Sequence, residues 1–367
     1  MNIAIITLPL HTNYGGILQA YALQTTLTRL GHSVILLEPK PQRIHHPFKM
    51  PLVYLKRAFC KFLLRQDVII FKSPQQRTRV HTDAFIKRYL SITHIQKWGN
   101  EQAKEFDAFV VGSDQIWRPR YCYSLEHAFL DFTQGINTKR IAYAASFGID
   151  TNEFTEEQIS LCKPLAQNFD YISTREDSGI KLCKDLFDVP AVQMIDPTLL
   201  LAKEDYVNLI QGTSTPASNG NLLVYILDEK PETESQLTSL VKQKNLTPFR
   251  VNSKVEQYDA PISERIQPPV EHWLRGFQDA EFVITDSFHA CVFSILFHKP
   301  FICIGNKDRG MSRFTSLLRM FHLEDRLVSS LEDFTDTPIN WEEVDAILTT
   351  KRAEAMEFLT TALNPMG

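Results

Sequence analysis

Short apolar runs rich in β-branched residues alternate with helical stretches along most of the chain, and this alternation constrains the fold more than any other feature. Asn2-Ile-Ala-Ile-Ile-Thr-Leu8 is the first run, Gly15 to Leu30 then shows helical periodicity ending at the C-cap candidate Gly31, and Ser33-Val-Ile-Leu-Leu37 is the next run. That order is a βαβ unit, which builds parallel sheets through right-handed crossovers. Asp107–Val111, Arg140–Ala144, Tyr171–Thr174 and Ala191–Ile195 continue the pattern, so one doubly wound sheet ends near Pro197. Gln211 to Asn221 is the most polar, Gly/Ser/Pro-rich stretch and reads as a linker or exposed loop. A second series follows at Asn221–Leu227, Glu281–Ile284 and Pro300–Ile304, with an apolar helix from about Phe288 to Phe297 and a last amphipathic helix from about Glu342 to Leu363. The expected class is α/β, with two doubly wound domains facing a cleft. The expected boundaries are 1–205 with a basic insertion at about 40–100, 206–340, and a C-terminal helix at 341–367.

Composition agrees with two domains. The chain has 367 residues, 44% hydrophobic and 22% charged, enough for two cores at about 100 to 200 residues per domain. Met1 to Leu8 lacks a basic flank and stops at Pro9, so neither a signal peptide nor a membrane span is read there and the expected location is the cytoplasm. Six scattered cysteines have no zinc spacing and read as reduced thiols, and no carboxylate cluster suggests a metal. Positions 40–90 carry twelve Lys/Arg against only Asp67 and Asp83, in a chain whose net charge is −4. Such asymmetry implies a negative partner, whether membrane phosphate, nucleic acid or a phosphorylated substrate. Within it, Leu52, Leu55, Phe59, Phe62 and Leu63 share one helical face, opposite Arg57, Lys61 and Arg65. This helix either packs its apolar face on the domain or lies in a membrane interface.

Ligand-binding loops of such domains lie at the carboxyl ends of their strands. After the first strand, Asn13-Tyr14-Gly15-Gly16 lets backbone approach a ligand at a helix start, or is simply a tight turn. Gly112-Ser113-Asp114-Gln115-Ile116-Trp117 either offers polar groups and an aromatic for a sugar face, or caps a helix and sends Trp117 into the core. Arg175 directly follows a strand and could hold a carboxylate or phosphate by two hydrogen bonds; the alternative pairs it with Glu176 or Asp177 on the surface. Thr285-Asp286-Ser287-Phe288-His289 puts an imidazole in the first turn of an apolar helix, where it can donate a proton. A helix N-terminus disfavours a charged imidazole, so a nearby anion is needed to keep that proton on. Lys307, Arg309 and Arg313, one strand further, form an anion clamp or ordinary surface charge.

Taken together, N-Y-G-G with L-Q-A-Y-A-L, G-S-D-Q-I-W, S-T-R-E, D-P-T and T-D-S-F-H resemble the polysaccharide pyruvyl transferase family, over residues 2 to about 327. The resemblance implies two Rossmann-like domains arranged as in the GT-B glycosyltransferases. It also implies transfer of a pyruvyl group from phosphoenolpyruvate onto a sugar of a cell-envelope polysaccharide precursor, forming a ketal and releasing phosphate. Carried over, His289 is the general acid and Arg175 and Ser287 lie at the donor. Family members often have an arginine two residues before this histidine. Here Ser287 stands there, and the contact is either missing or supplied by Arg309 or Arg313. Asp114 is a candidate base, while Asn13, Gly15, Gln115 and Trp117 are candidates for the acceptor.

The partners expected are phosphoenolpyruvate, a sugar or lipid-linked glycan, and peripheral contact with anionic membrane, without nucleic acid, metal or bound cofactor. Two other readings stay open: a GT-B-type glycosyltransferase using a nucleotide sugar, and a catalytically silent membrane-docking protein.

Overall fold

The computed structural model describes residues 1–40, 50–63, 74–122, 124–228, 230–305 and 310–364. Two parallel sheets carry the chain. The first contains β1 (Asn2–Ile6), β2 (Ser33–Pro39), β3 (Ile92–Ile95), β4 (Ala108–Val111), β5 (Lys139–Ala145), β6 (Tyr171–Thr174) and β7 (Val192–Gln193), in the order β3-β2-β1-β4-β5-β6-β7. The second contains β8 (Leu222–Tyr225), β9 (Pro248–Phe249), β10 (Phe282–Thr285), β11 (Phe301–Ile304) and β12 (Leu327–Val328), in the order β12-β11-β10-β8-β9. The central strands β1, β4, β8 and β10 are almost wholly buried along their lengths, which explains their uninterrupted apolar sequence.

Both strand orders reverse direction once, between β1 and β4 in the first sheet and between β8 and β10 in the second. At such a switch point the connections leave on opposite faces and open a crevice beyond the carboxyl ends. The N-Y-G-G and G-S-D-Q loops therefore share the first crevice, and the T-D-S-F-H loop lies at the second.

Three strands escaped the sequence reading. They are β3, β9 and β12, edge strands of two to four residues, too short for a clear alternation. Because β3 pairs with β2, and Phe85 on the helix Val80–Tyr89 is buried, the last part of the expected insertion at 40–100 belongs to the first domain. The expected boundary at 205 falls inside the helix Lys203–Gln211, where Asp205 pairs with Arg29 of the first domain and Tyr206 packs on Phe293 of the second. The helix Trp341–Leu363 packs on the first sheet: Lys139 Nζ donates to Ala362 O (3.0 Å), and Phe358 meets Tyr143 and Tyr171.

One apolar cluster runs without a break from Ile3, Ile17 and Leu23 of the first domain to Leu223, Trp273 and Phe293 of the second. Tyr14 sits at this junction. It is fully buried, its ring stacks on Trp273 with centroids 5.5 Å apart, and its hydroxyl donates to Pro268 O (2.8 Å). No described helix is long and apolar enough to cross a membrane. Tyr14→Phe keeps the stack but removes the donor shared by the Pro268 and Val251 carbonyls, and should lower the urea unfolding free energy by about 1–3 kcal/mol. An unchanged midpoint and slope would show that this bond contributes nothing to docking the domains.

Candidate active site

The first turn of the helix Tyr14–Arg29 comes so close to the second domain that Gly15 must be glycine. A Cβ placed there would lie 2.0 Å from His289 Nδ1. On the same helix Gln19, fully buried, donates to Thr7 Oγ1 (3.0 Å) and accepts from Ser113 N (2.7 Å), so the L-Q-A-Y segment holds the G-S-D-Q loop. That loop turns at Gly112 and Asp114, both with positive φ (131° and 48°). A side chain at Gly112 would collide with Tyr143 O at 2.1 Å. The turn leaves the Asp114 carboxylate beside Gly16 and 3.8 Å from Arg175 Nη2.

His289 is the second residue of the helix Phe288–Leu296, in the first turn as its sequence position indicated, and is nearly buried. Thr285 and Asp286 do not face the cleft chemistry. Thr285 Oγ1 donates to Tyr225 O (2.7 Å), and the Asp286 carboxylate accepts from Leu227 N (2.7 Å) and Asp228 N (3.0 Å), which shapes the loop after β8. Ser287 and His289 line a cavity of about 430 Å³ together with Asn13, Gly15, Asn252 and Trp273. A second cavity of about 650 Å³, lined by Asn13, Gly16, Asp114, Gln115, Arg120 and Lys230, lies on the other side of the Thr12–Asn13 loop.

An anion does stand beside His289: Asp196, the acid of D-P-T, whose Oδ2 lies 3.5 Å from His289 Nε2. This is an ion-pair distance without a formed hydrogen bond. The same oxygen accepts from Arg175 Nη1 (2.7 Å), while Oδ1 accepts from Thr198 N (3.0 Å) and Thr198 Oγ1 (2.6 Å). Burial works against the Asp196 charge, but His289, Arg175 and Thr198 hold its carboxyl well below the usual carboxylate range. The sequence reading quoted D-P-T and gave it no role. An Asp before Pro-Thr just past a strand end is a helix-cap signal, and it does cap the short turn Pro197–Leu199.

Arg175 is buried rather than at the surface, and its neighbours are Asp196, Asp114 and Glu176, the last at 4.0 Å. Burial opposes its charge, and these three carboxylates overcome that and raise it above the ordinary arginine value. Its Nε and Nη2 find no hydrogen-bond partner among the described residues. Glu176 Oε1 is occupied by Phe147 N (2.7 Å), Gly148 N (2.9 Å) and Ser146 Oγ (3.0 Å), so Glu176 braces the loop after β5. Asp177 pairs with Arg319 instead. Arg313 is buried beside this group. Burial first, and then repulsion from Arg175, bring its guanidinium down to about 10. Both guanidinium groups lie over the Phe288 ring, 4.3 and 5.7 Å from its centroid. Lys307 and Arg309, the other clamp candidates, lie outside the described residues.

Among the acceptor candidates, Asn13, Gly15 and Gln115 line the cavities and Trp117 does not. Trp117 is fully buried, stacked on Phe129 at 4.8 Å with its Nε1 donating to Ala128 O (3.1 Å). The core reading of that aromatic is the correct one, because the apolar faces of Phe129, Phe147 and Phe169 surround it. Gln115 is oriented by Arg118, whose Nη1 donates to its Oε1 (3.0 Å) while Nε and Nη2 hold Glu153. Among the described residues no group of three or more His, Cys, Asp or Glu is placed to hold a metal ion.

No curated protein sequence matches the chain. Its backbone resembles UDP-GlcNAc 2-epimerase from Neisseria meningitidis bound to UDP-GlcNAc, at 8% identity and a TM-score of 0.47 over 99% of this chain and 94% of that one. It also resembles the S. aureus MnaA-UDP structure, at 11% identity and 0.46 over 100% and 92%. MurG of Acinetobacter baumannii is similar at 11% identity and 0.43 over 98% and 94%. A family model for polysaccharide pyruvyl transferase matches residues 13–308, the span that contains N-Y-G-G, G-S-D-Q-I-W, S-T-R-E, D-P-T and T-D-S-F-H. The chain belongs to the polysaccharide pyruvyl transferase family.

Proposed function

We propose that the protein transfers a pyruvyl group from phosphoenolpyruvate to two hydroxyls of a sugar in a cell-envelope polysaccharide precursor, forming a ketal and releasing phosphate. The observation that carries this reading is the buried assembly of an imidazole, its carboxylate partner and two guanidinium groups around Phe288 at the head of one helix. Adding a proton to the methylene carbon of phosphoenolpyruvate makes C2 electrophilic, and His289 is the acid in reach of the cavity. The Asp196 carboxylate stands 3.5 Å from its Nε2.

A first sugar hydroxyl adds to C2, the C–O bond to phosphate breaks, and a second hydroxyl closes the ketal. Of the two hydroxyl protons, one restores His289 and the other leaves with phosphate. Arg175 and Arg313 are suited to the donor's anionic groups. Arg175 Nε and Nη2 are buried without hydrogen-bond partners among the described residues, and a phosphate beside both guanidinium groups would relieve the repulsion that lowers Arg313. Ser287 faces the same cavity as His289, where a hydroxyl can add one neutral hydrogen bond. Asp114, at the wall of the larger cavity, is the base for the attacking hydroxyl, with Asn13, Gly15 and Gln115 lining the acceptor's side.

The deciding experiment incubates purified protein with phosphoenolpyruvate and sugar-linked acceptors and follows phosphate release and product mass. Nucleotide sugars serve as the parallel donors. Turnover of a nucleotide sugar without phosphate release from phosphoenolpyruvate would replace this reading with a glycosyltransferase. His289→Gln should reduce turnover by roughly 100- to 10,000-fold with phosphoenolpyruvate still bound. Near-normal turnover would remove His289 from the chemistry.

Arg175→Lys keeps the charge and loses the planar fork, and should weaken donor binding by about 1.5–3 kcal/mol in calorimetry. Unchanged donor affinity in a variant with a normal melting curve would make Arg175 purely structural. Asp196→Asn takes the closest counter-charge from the buried Arg175 guanidinium and should lower the urea unfolding free energy by about 3–5 kcal/mol. An unchanged unfolding curve would show that this pair contributes nothing to stability.

A further inference from the structure

The segment between β2 and the helix Val80–Tyr89 has no part in the chemistry above. It contains the helix Met50–Phe62, whose large apolar side chains face solvent: Leu52 is 68% exposed, Leu55 69% and Phe59 51%, with Leu63 just past its end at 68%. At about 100° per residue these four positions fall within an arc of about 80° on one side of the helix. Packing this stripe on the domain was one of two readings open from sequence, and the exposure of the four residues excludes it for them. Taking large apolar side chains out of water is favourable, so the stripe favours an apolar neighbour.

Charge identifies that neighbour. Positions 40–90 hold twelve Lys/Arg against two acids, and Lys56 is exposed beside the stripe. A second copy would bring two strongly basic segments together, whereas an anionic lipid surface accepts both the apolar stripe and the positive charge. We infer that the helix Met50–Phe62 lies in the interface of an anionic membrane, with Leu52, Leu55, Phe59 and Leu63 toward the acyl chains and Lys56 among the headgroups.

The segment meets the cleft at both its ends. Glu38 Oε1 accepts from Leu10 N (3.2 Å) where β2 ends, and Arg79 Nη2 donates to Leu10 O (3.2 Å) with Nη1 2.9 Å from His11 Nδ1. Leu10 and His11 line the larger cavity. Thr78 O accepts from Gln267 N (2.8 Å) in the second domain. A membrane held by this helix would therefore stand near the larger cavity, where the sugar of a lipid-linked acceptor could enter. That consequence rests on the transferase reading, and the docking itself does not.

Sedimentation of the full-length protein with phosphatidylcholine vesicles, with and without phosphatidylglycerol, tests the inference. Binding is expected only when phosphatidylglycerol is present, and it should weaken in high salt. Lys56→Gln, Arg57→Gln and Lys61→Gln together should lower partitioning by about 100-fold, from about 1 kcal/mol per basic residue. Leu52→Ser, Leu55→Ser and Phe59→Ser together should abolish it, with melting temperature and turnover on a soluble acceptor as in the wild type. Absence of binding to phosphatidylglycerol vesicles, or equal binding by either triple variant, would overturn the inference. So would a wild-type dimer in light scattering that the serine variant dissociates, which would give the face to a second copy. Vesicle binding without phosphate release from phosphoenolpyruvate would overturn the transferase reading alone.

Discussion

Arg175 is a charge taken wholly out of water, and the arrangement of the site follows from how that charge is met. Its Nη1 bond to Asp196 compensates part of the desolvation, and Asp114 and Glu176 supply further negative potential at 3.8 and 4.0 Å. Removing one partner from such a buried pair typically costs about 3–5 kcal/mol. The chain therefore has to deliver β4, β6 and the D-P-T turn to one point. Once Asp196 is held there by Thr198 and Arg175, its remaining reach is toward the imidazole of the other domain. A pairing that solves a burial problem in the first domain thus places a carboxylate beside the histidine of the second.

Close approach of the two domains is the second requirement, and it is steric. The switch point of one sheet faces that of the other, with Gly15 against His289 and Tyr14 bonded across to Pro268. The unbroken apolar cluster through both domains and the return of the helix Trp341–Leu363 to the first sheet hold this approach. A methyl group at position 15 would push the imidazole away from Asp196, so the glycine serves the chemistry through geometry alone.

Much of the fold was legible because its signals are local. Eight of the nine strands read from sequence lie inside their sheets, the ninth, the two-residue edge β7, was read from the longer run Ala191–Ile195 around it, and the turns after β1, β4, β6 and β10 were recognisable as polar groups at strand ends. The missed β3, β9 and β12 are edges of two to four residues, whose pairing is specified by the neighbouring strand more than by their own side chains. His289 and Arg175 were visible as chemistry at strand ends, yet taken alone a surface pairing for Arg175 was the better local account. Trp117 was ambiguous for the same reason: an aromatic two residues after Gln115 turns inward or outward according to whether Phe129 and Phe147 lie beneath it.

The chain's own residue order dictates the alternation of strands and helices, the positive backbone turns that call for glycine, and the presence of an acid or cation after several of the strands, since these depend on neighbours within a few positions. Whether those groups meet is a different matter. Asp196 and His289 are separated by more than ninety positions, and so are Gly15 and the ring that forbids it a side chain. Burial of Arg175 depends on elements from both domains, with Phe288 of the second lying against its guanidinium. Only the packing of the two sheets brings such pairs together, because electrostatic and steric contacts act over distances in space that sequence separation does not encode.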